Sequence, residues 1–221
     1  MITVHHLNNS RSQRILWMLE ELELPYDVKP YQREASMQAP AALKAVHPLG
    51  KSPVITDGDR TIAESGAILE YLVDAYGNGR FKPAAGTAER IQYGYFLHYA
   101  EGSLMPLLLM KLIFSRIPGR LPFFMRPVGR AISAGANKTL LDPQIGTHFM
   151  FLESELGRRE WFAGPEFTAA DIQMSFPLEA AAARAPIVRQ MPKLSAFLDR
   201  IHARPAYQRA LEKGGPYELM K

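Results

Sequence analysis

Apolar positions along the chain change their period several times. ITVHHL (2–7) alternates and is rich in β-branched residues, which predicts a strand. In NNSRSQRILWMLEEL the apolar residues Ile15, Leu16, Leu19 and Leu22 return at helical spacing, with Asn9 or Ser10 as the expected N-cap. LPYDVKPYQ then gives a short strand whose Pro30 predicts an edge position. A β-α-β unit implies that these two strands run parallel. After a less regular stretch, PVIT and RTIAE are joined by DGD, and Asp57-Gly58 predicts an antiparallel hairpin. SGAILEYLVDAYG follows as a helix, with Ile68, Leu69 and Leu72 as its apolar stripe and Gly77 at its stop.

The order β-α-β, an irregular or helical segment, then β-β-α describes a thioredoxin-like α/β domain over residues 1–78. GNGRFKPAAGT (77–87) has linker composition, so the linker falls at about 79–87. From 88 to 221 helical periods are broken only by prolines and glycines, which predicts an all-α second domain. Composition is that of an ordinary globular protein, and net charge is only +4, too weak a basic excess to suggest a nucleic-acid partner. The chain has no cysteine, which excludes disulfides, thiolate metal sites and a cysteine nucleophile. The start MITVHHLNN lacks a signal-peptide pattern, and no window reaches the roughly 18 apolar residues of a membrane span. A soluble, cytoplasmic protein is expected.

GKSPV, the DGD hairpin and ESGAILEYL, followed by an all-helical domain, resemble the cytosolic glutathione transferases over essentially the whole chain. HHLNNSRSQR together with HYAEGSLMP is similar to a bacterial and fungal subgroup first described in yeast. The resemblance implies that a cis Ser52–Pro53 bond turns the chain so that the Ser52 main chain pairs with the cysteinyl part of glutathione, as a strand fragment would. It implies that Ser65, at a helix N-terminus, meets the γ-glutamyl carboxylate, and that Glu64 holds the ligand's ammonium group. Lys51 and Gln38 are placed near its glycyl end. Each residue alone has a plainer role: Ser65 as a cap, Pro53 as a trans strand opener, Glu64 as a surface charge. Their combination at this spacing favours the functional reading.

A free thiol has a pKa of about 8.5, and lowering it by about two units takes roughly 2.7 kcal/mol of preference for the anion. In the family a hydroxyl or thiol near the first helix supplies this. Cysteine is absent here and no tyrosine precedes Tyr26, so Ser10 is the expected thiolate donor, with Asn9 as its rival and Ser12 and His6 behind them. Ser10 as a simple N-cap is the structural alternative.

The long helix expected over QYGYFLHYAEGSLMPLLLMKLIF (92–114) puts Tyr95, His98, Tyr99, Gly102 and Met105 close to one face, as an electrophile pocket or as ordinary core. By resemblance Glu101 reaches the ammonium of glutathione bound to a neighbouring subunit. Thr168 and Asp171 form a capping box with a structural role. SRIPGRLPFFMRPVGR (115–130) is expected to be a long connection: a lid, a contact with a membrane surface or acidic partner, or an insertion packed on the helices.

The implied function is a homodimeric glutathione transferase that conjugates glutathione to a small hydrophobic electrophile without a metal. Glutathione-dependent reduction of organic hydroperoxides at the same site, or a non-catalytic glutathione-binding module, are the alternatives.

Overall fold

The structure, a computed structural model, describes residues 1–34, 38–184, 188 and 190–215. Four strands form one sheet in the order β2-β1-β3-β4. They are β1 (Ile2–Leu7), β2 (Tyr26–Tyr31), β3 (Val54–Asp57) and β4 (Arg60–Ala63). β1 and β2 are parallel, with Val4 opposite Val28. β1 and β3 are antiparallel, with Val4 opposite Ile55, and β3 returns into β4 through the Asp57-Gly58 turn. Gly58 sits there at φ +60°, a left-handed conformation that suits glycine. Pro30 lies on the edge strand, where a missing N–H breaks no ladder.

Val4 and Ile55 face α1 (Gln13–Glu21) and α3 (Ser65–Tyr76), and this side of the sheet is continuous with the core of the helical part. On the other side Leu7, Tyr31 and Leu43, the last from the short α2 (Ala41–Lys44), form a small separate cluster.

Two expectations for the first helix change. The N-cap is Ser12, and residues 10–12 form a turn in which Ser10 Oγ accepts the Ser12 N–H at 3.2 Å. Ser10 therefore satisfies a donor ahead of the helix rather than capping it from the expected position. The helix is also buried all round, from Gln13 to Glu20, although its sequence suggests a single stripe.

What covers the far side of α1 is α10 (Pro205–Gly214), the last described helix. Tyr207 sets its ring edge-on to Trp17, with centroids 5.1 Å apart. Arg204 pairs with Glu21 at 2.6 Å, and Arg209 and Lys213 pair with Glu20 at 2.7 and 2.6 Å.

The helical part is dominated by two long rods. Thr87 caps α4 (Ala88–Tyr99) by accepting the Arg90 N–H at 3.2 Å. A π-helical turn (Ala100–Leu104) carries it directly into α5 (Met105–Arg120). A 3₁₀ turn (Phe123–Met125) leads to α6 (Arg126–Ala136), a second π turn (Asn137–Leu141) and α7 (Asp142–Arg158). Pro106 and Pro143 each stand second after a π turn. A proline offers no N–H to the preceding turn, and a widened turn is one way to accommodate it.

The expected long connection over 115–130 is therefore a correction: helices run through most of it, and only 121–125 link them. Pro127 sits in a first turn, where its ring is tolerated, and Pro118 lies near the end of α5, so neither forbids helix.

α8 (Ala169–Arg184) and α9 (Pro192–His202) complete the layer. The buried Asp171 carboxylate accepts the Thr168 N–H at 2.8 Å and its hydroxyl at 3.0 Å. It also accepts the Phe162 N–H at 2.8 Å, which fastens the preceding loop to the helix start. No helix among the described residues is long and apolar enough to cross a membrane.

Candidate active site

A cleft of about 190 Å³ opens where the end of the sheet meets the start of α1 and the π turn after α4. Ser52, Pro53, Glu64 and Ser65 line it together with Lys51, and Arg11, His47, Leu49, Ala63 and Glu101 complete its walls. Six of the residues singled out in the sequence, Glu101 among them, thus meet at one place. The Ser52–Pro53 bond is cis, and β3 begins just beyond it at Val54.

Behind the wall runs a chain of hydroxyls. Ser52 Oγ lies 3.3 Å from Ser10 Oγ, which lies 2.7 Å from Ser12 Oγ, and that is 2.8 Å from His6 Nδ1. Ser10, Ser12 and His6 are all buried. Burial lowers the His6 pKa, a shift only partly opposed by the Gly214 carbonyl facing the ring. With the ring N–H assigned to that carbonyl, Nδ1 is left to accept from Ser12. Ser12 then accepts from Ser10, so the proton of Ser10 is engaged within the chain and not aimed at the cleft.

Ser10 itself sits one layer behind the wall and reaches the cleft through Ser52. Asn9 is exposed at φ +50°, a conformation asparagine tolerates, and is not among the lining residues.

At the opposite end the cleft carries charges of both signs. Glu64 is exposed and held at φ +73°, an uncommon conformation for a residue with a side chain. Ser65, first residue of α3, is buried, and its hydroxyl accepts from Gln173 Nε2 at 3.3 Å and from Arg14 Nη1 at 3.5 Å. Its own proton stays available for an anion at the helix entrance, where the backbone N–H groups add positive partial charge.

Arg14, only 1% exposed, also donates to Gln173 Oε1 at 2.6 Å and to Glu101 at 2.6 Å. Arg11 holds Glu101 too, at 2.8 Å, and both guanidiniums lie about 5 Å from the Phe176 ring centre. Burial pushes the Glu101 pKa up, but Arg14 and Arg11 outweigh it and keep the carboxyl below its usual range. The carboxylate expected to reach across to a neighbouring subunit is therefore engaged by two arginines of its own chain.

Other expected residues are not brought to the cleft. Gln38 is exposed in a bend and does not line it. Neither do Tyr95, His98, Tyr99, Gly102 and Met105. Tyr99 is buried in an aromatic cluster, its ring stacked at 5.6 Å on Tyr95 and its hydroxyl bonded to His148, while His98 is exposed. The π turn adds a residue per turn between Tyr99 and Met105, so spacings of three and four no longer describe one face.

His47, Arg11, Arg14 and Gln173 were not singled out as site residues in the sequence. His47 stands just ahead of the GKSPV signature, which was the available signal for it. A second hollow of about 120 Å³ beneath the linker, lined by Phe81, Lys82 and Gly164, contains none of the candidate residues.

Known proteins resemble this chain in both of its parts. Residues 1–74 match the glutathione S-transferase N-terminal domain and residues 117–205 its C-terminal domain. The chain is 39% identical to glutathione S-transferase 3 of Schizosaccharomyces pombe, over 96% of this chain and 88% of that one. It is 33% identical to glutathione S-transferase 1 of Saccharomyces cerevisiae, over 96% and 95%. The crystal structure of a glutathione S-transferase from Actinobacillus pleuropneumoniae superposes with a TM-score of 0.81 at 36% identity, covering 99% of this chain and 95% of that one.

Proposed function

The chain belongs to the glutathione S-transferase family, and from that premise we propose that its cleft binds glutathione along Ser52–Pro53 and delivers the thiolate to a hydrophobic electrophile. In this reading Ser65 and the first N–H groups of α3 receive the γ-glutamyl carboxylate, and Glu64 takes the neighbouring ammonium. Lys51, exposed on the rim, suits the glycyl carboxylate. The conjugation step forms a carbon–sulfur bond as the thiolate attacks the electrophile and the leaving group, or a proton taken up by the adduct, balances the charge.

One observation carries the proposal: a buried hydroxyl chain, Ser12–Ser10–Ser52, ends on the cleft wall beside a site with both charges of an amino-acid zwitterion in reach. A hydroxyl donor beside an anionic sulfur makes a charge-assisted hydrogen bond, stronger than its neutral counterpart. Ser10 is the proposed source of the proton that faces the sulfur, its O–H turning from Ser12 toward the cleft once the ligand is seated.

Glutathione titration of the wild type, Ser10→Ala and Ser52→Ala, followed by thiolate ultraviolet absorbance against pH, tests this. Wild type is expected to bind and to form thiolate at least one pH unit below free glutathione; Ser10→Ala should bind but lose most of that shift. A Ser10→Ala protein with the full shift would remove Ser10 from the role. Absence of binding by wild type would remove the function.

The same reading includes a two-fold dimer. Apolar side chains left exposed on α4 and α7, namely Ile91, Tyr95 and Met150, support it. Sedimentation should give a particle of two chains, and a stable monomer would contradict it.

A further inference from the structure

The turn between α5 and α6 stands out from the rest of the surface. Phe123 is 79% and Phe124 68% exposed, and Met125, Val128 and Ile132 also lie open. Val128 and Ile132 are four apart and so form one outward row of α6. The adjoining row, Gly129 and Ser133, is sealed against α5 and the link after it: a Cβ on Gly129 would meet Leu121 Cδ1 at 2.6 Å, and Ser133 Oγ donates to the Phe114 carbonyl at 2.8 Å. The outward apolar row is thus not a core face waiting for the fold to cover it.

On the side of α6 away from that row lie Arg126 and Arg130, again four apart, with Arg116 and Arg120 on the end of α5. All four arginines are exposed and form no ion pair among the described residues. Lys138 lies in the same stretch, while Lys111 is paired with Asp142 at 2.5 Å, and between Glu101 and Asp142 the sequence contains no acidic residue at all.

We propose that this end of the α5–α6 hairpin docks the protein on anionic lipid surfaces, with Phe123, Phe124 and the Val128–Ile132 row entering the headgroup boundary and the arginines meeting lipid phosphates. An apolar row on one face and a cationic row on the other is the pattern of a helix that lies in an interface, and long arginine stems let the charged heads reach round to the phosphates. Charge argues against a second copy as the occupant, because a two-fold contact here would set like charges face to face. The apolar residues stand out on a turn rather than lining a groove, which fits a soft layer better than a folded partner. A peripheral contact needs no membrane-spanning helix.

Flotation of the full chain with phosphatidylcholine vesicles, and with vesicles also containing phosphatidylglycerol, tests the proposal. Binding to the anionic vesicles should be at least tenfold tighter and should weaken with added salt. Phe123→Ser/Phe124→Ser should lose roughly tenfold through the apolar contact. Arg126→Gln/Arg130→Gln should lose about as much or more, since a cation near an anionic surface is worth about fivefold. These positions are exposed, so melting curves and retention on immobilised glutathione should match the wild type. Phe123→Trp should be quenched by brominated lipid in the anionic vesicles only.

No binding to anionic vesicles overturns the proposal. So does binding indifferent to both phenylalanines, which would be charge attraction alone, as to any polyanion or acidic protein. An altered particle mass, or an altered KM for electrophile without vesicle binding, would assign the turn to a subunit contact or a lid instead.

Discussion

Glu64 is held at φ +73°, where a side chain is disfavoured by about 1–3 kcal/mol. Glycine at that position relieves the strain, whereas glutamine keeps it. Glu64→Gly is therefore expected to raise the urea midpoint by the equivalent of about 1 kcal/mol while weakening glutathione binding. Glu64→Gln should weaken binding with no gain in stability. Equal midpoints for the two variants would show that the conformation carries no strain. A second residue-scale prediction concerns Ser12, which competes with the bound sulfur for the single proton of Ser10. Ser12→Ala leaves the buried His6 Nδ1 without its present partner, at about 1–2 kcal/mol. It should nonetheless retain or increase the downward shift of the thiol pKa, the opposite of Ser10→Ala. A loss of that shift would mean that the whole chain, and not its last hydroxyl, polarises the sulfur.

Between elements, the link that sets the cleft is α1 to the π turn and α8, through Arg14, Glu101 and Gln173. Glu101→Gln removes a charge partner from a nearly buried guanidinium. Because Glu101 is itself about a third exposed, at 31%, the expected loss is discounted to about 2 kcal/mol, measured as a shift in urea midpoint. This contribution has a pH window: a carboxyl held below its usual range stabilises above the unfolded pKa and loses the effect as pH falls through its folded value. The elements differ in how far sequence foretold them. β1, β2 and the hairpin were legible because alternation, an edge proline and Asp57-Gly58 are local signals. Residues 115–130 were not, because prolines and glycines argue for a break unless they sit at helix ends or in a close approach such as Gly129 against Leu121. Of the stripe after Tyr95, only Gly102 and Met105 are turned by the π turn, which a count by threes and fours does not register. The cleft's proline, serine and acid were legible from a compact motif. Its arginine network was not, since Arg14 meets Gln173 across 159 residues of sequence.

For the whole molecule, stability against pH is set by opposing groups. Burial lowers the pKa of His6 and His148, and burial with the nearby Lys29 charge lowers that of His5. Each stabilises fully above about pH 6.5 and loses its contribution as pH falls toward its lowered value, because the unfolded chain takes the proton first. Burial raises Asp171 to about 6, so this group works in the other direction and gains stability as pH falls through that value. Three groups against one predict a lower melting temperature at about pH 5 than at about pH 7, and a rise would mean that Asp171 dominates. The packing of α10 on α1 reaches further than stability. During synthesis, residues 2–76 can emerge and pair their strands while α1 still lacks its outer cover, and His6 still lacks the Gly214 carbonyl. The nascent protein therefore holds an open apolar side until the helix at 205–214 has left the ribosome, and the His6 end of the hydroxyl chain behind its cleft is completed only then.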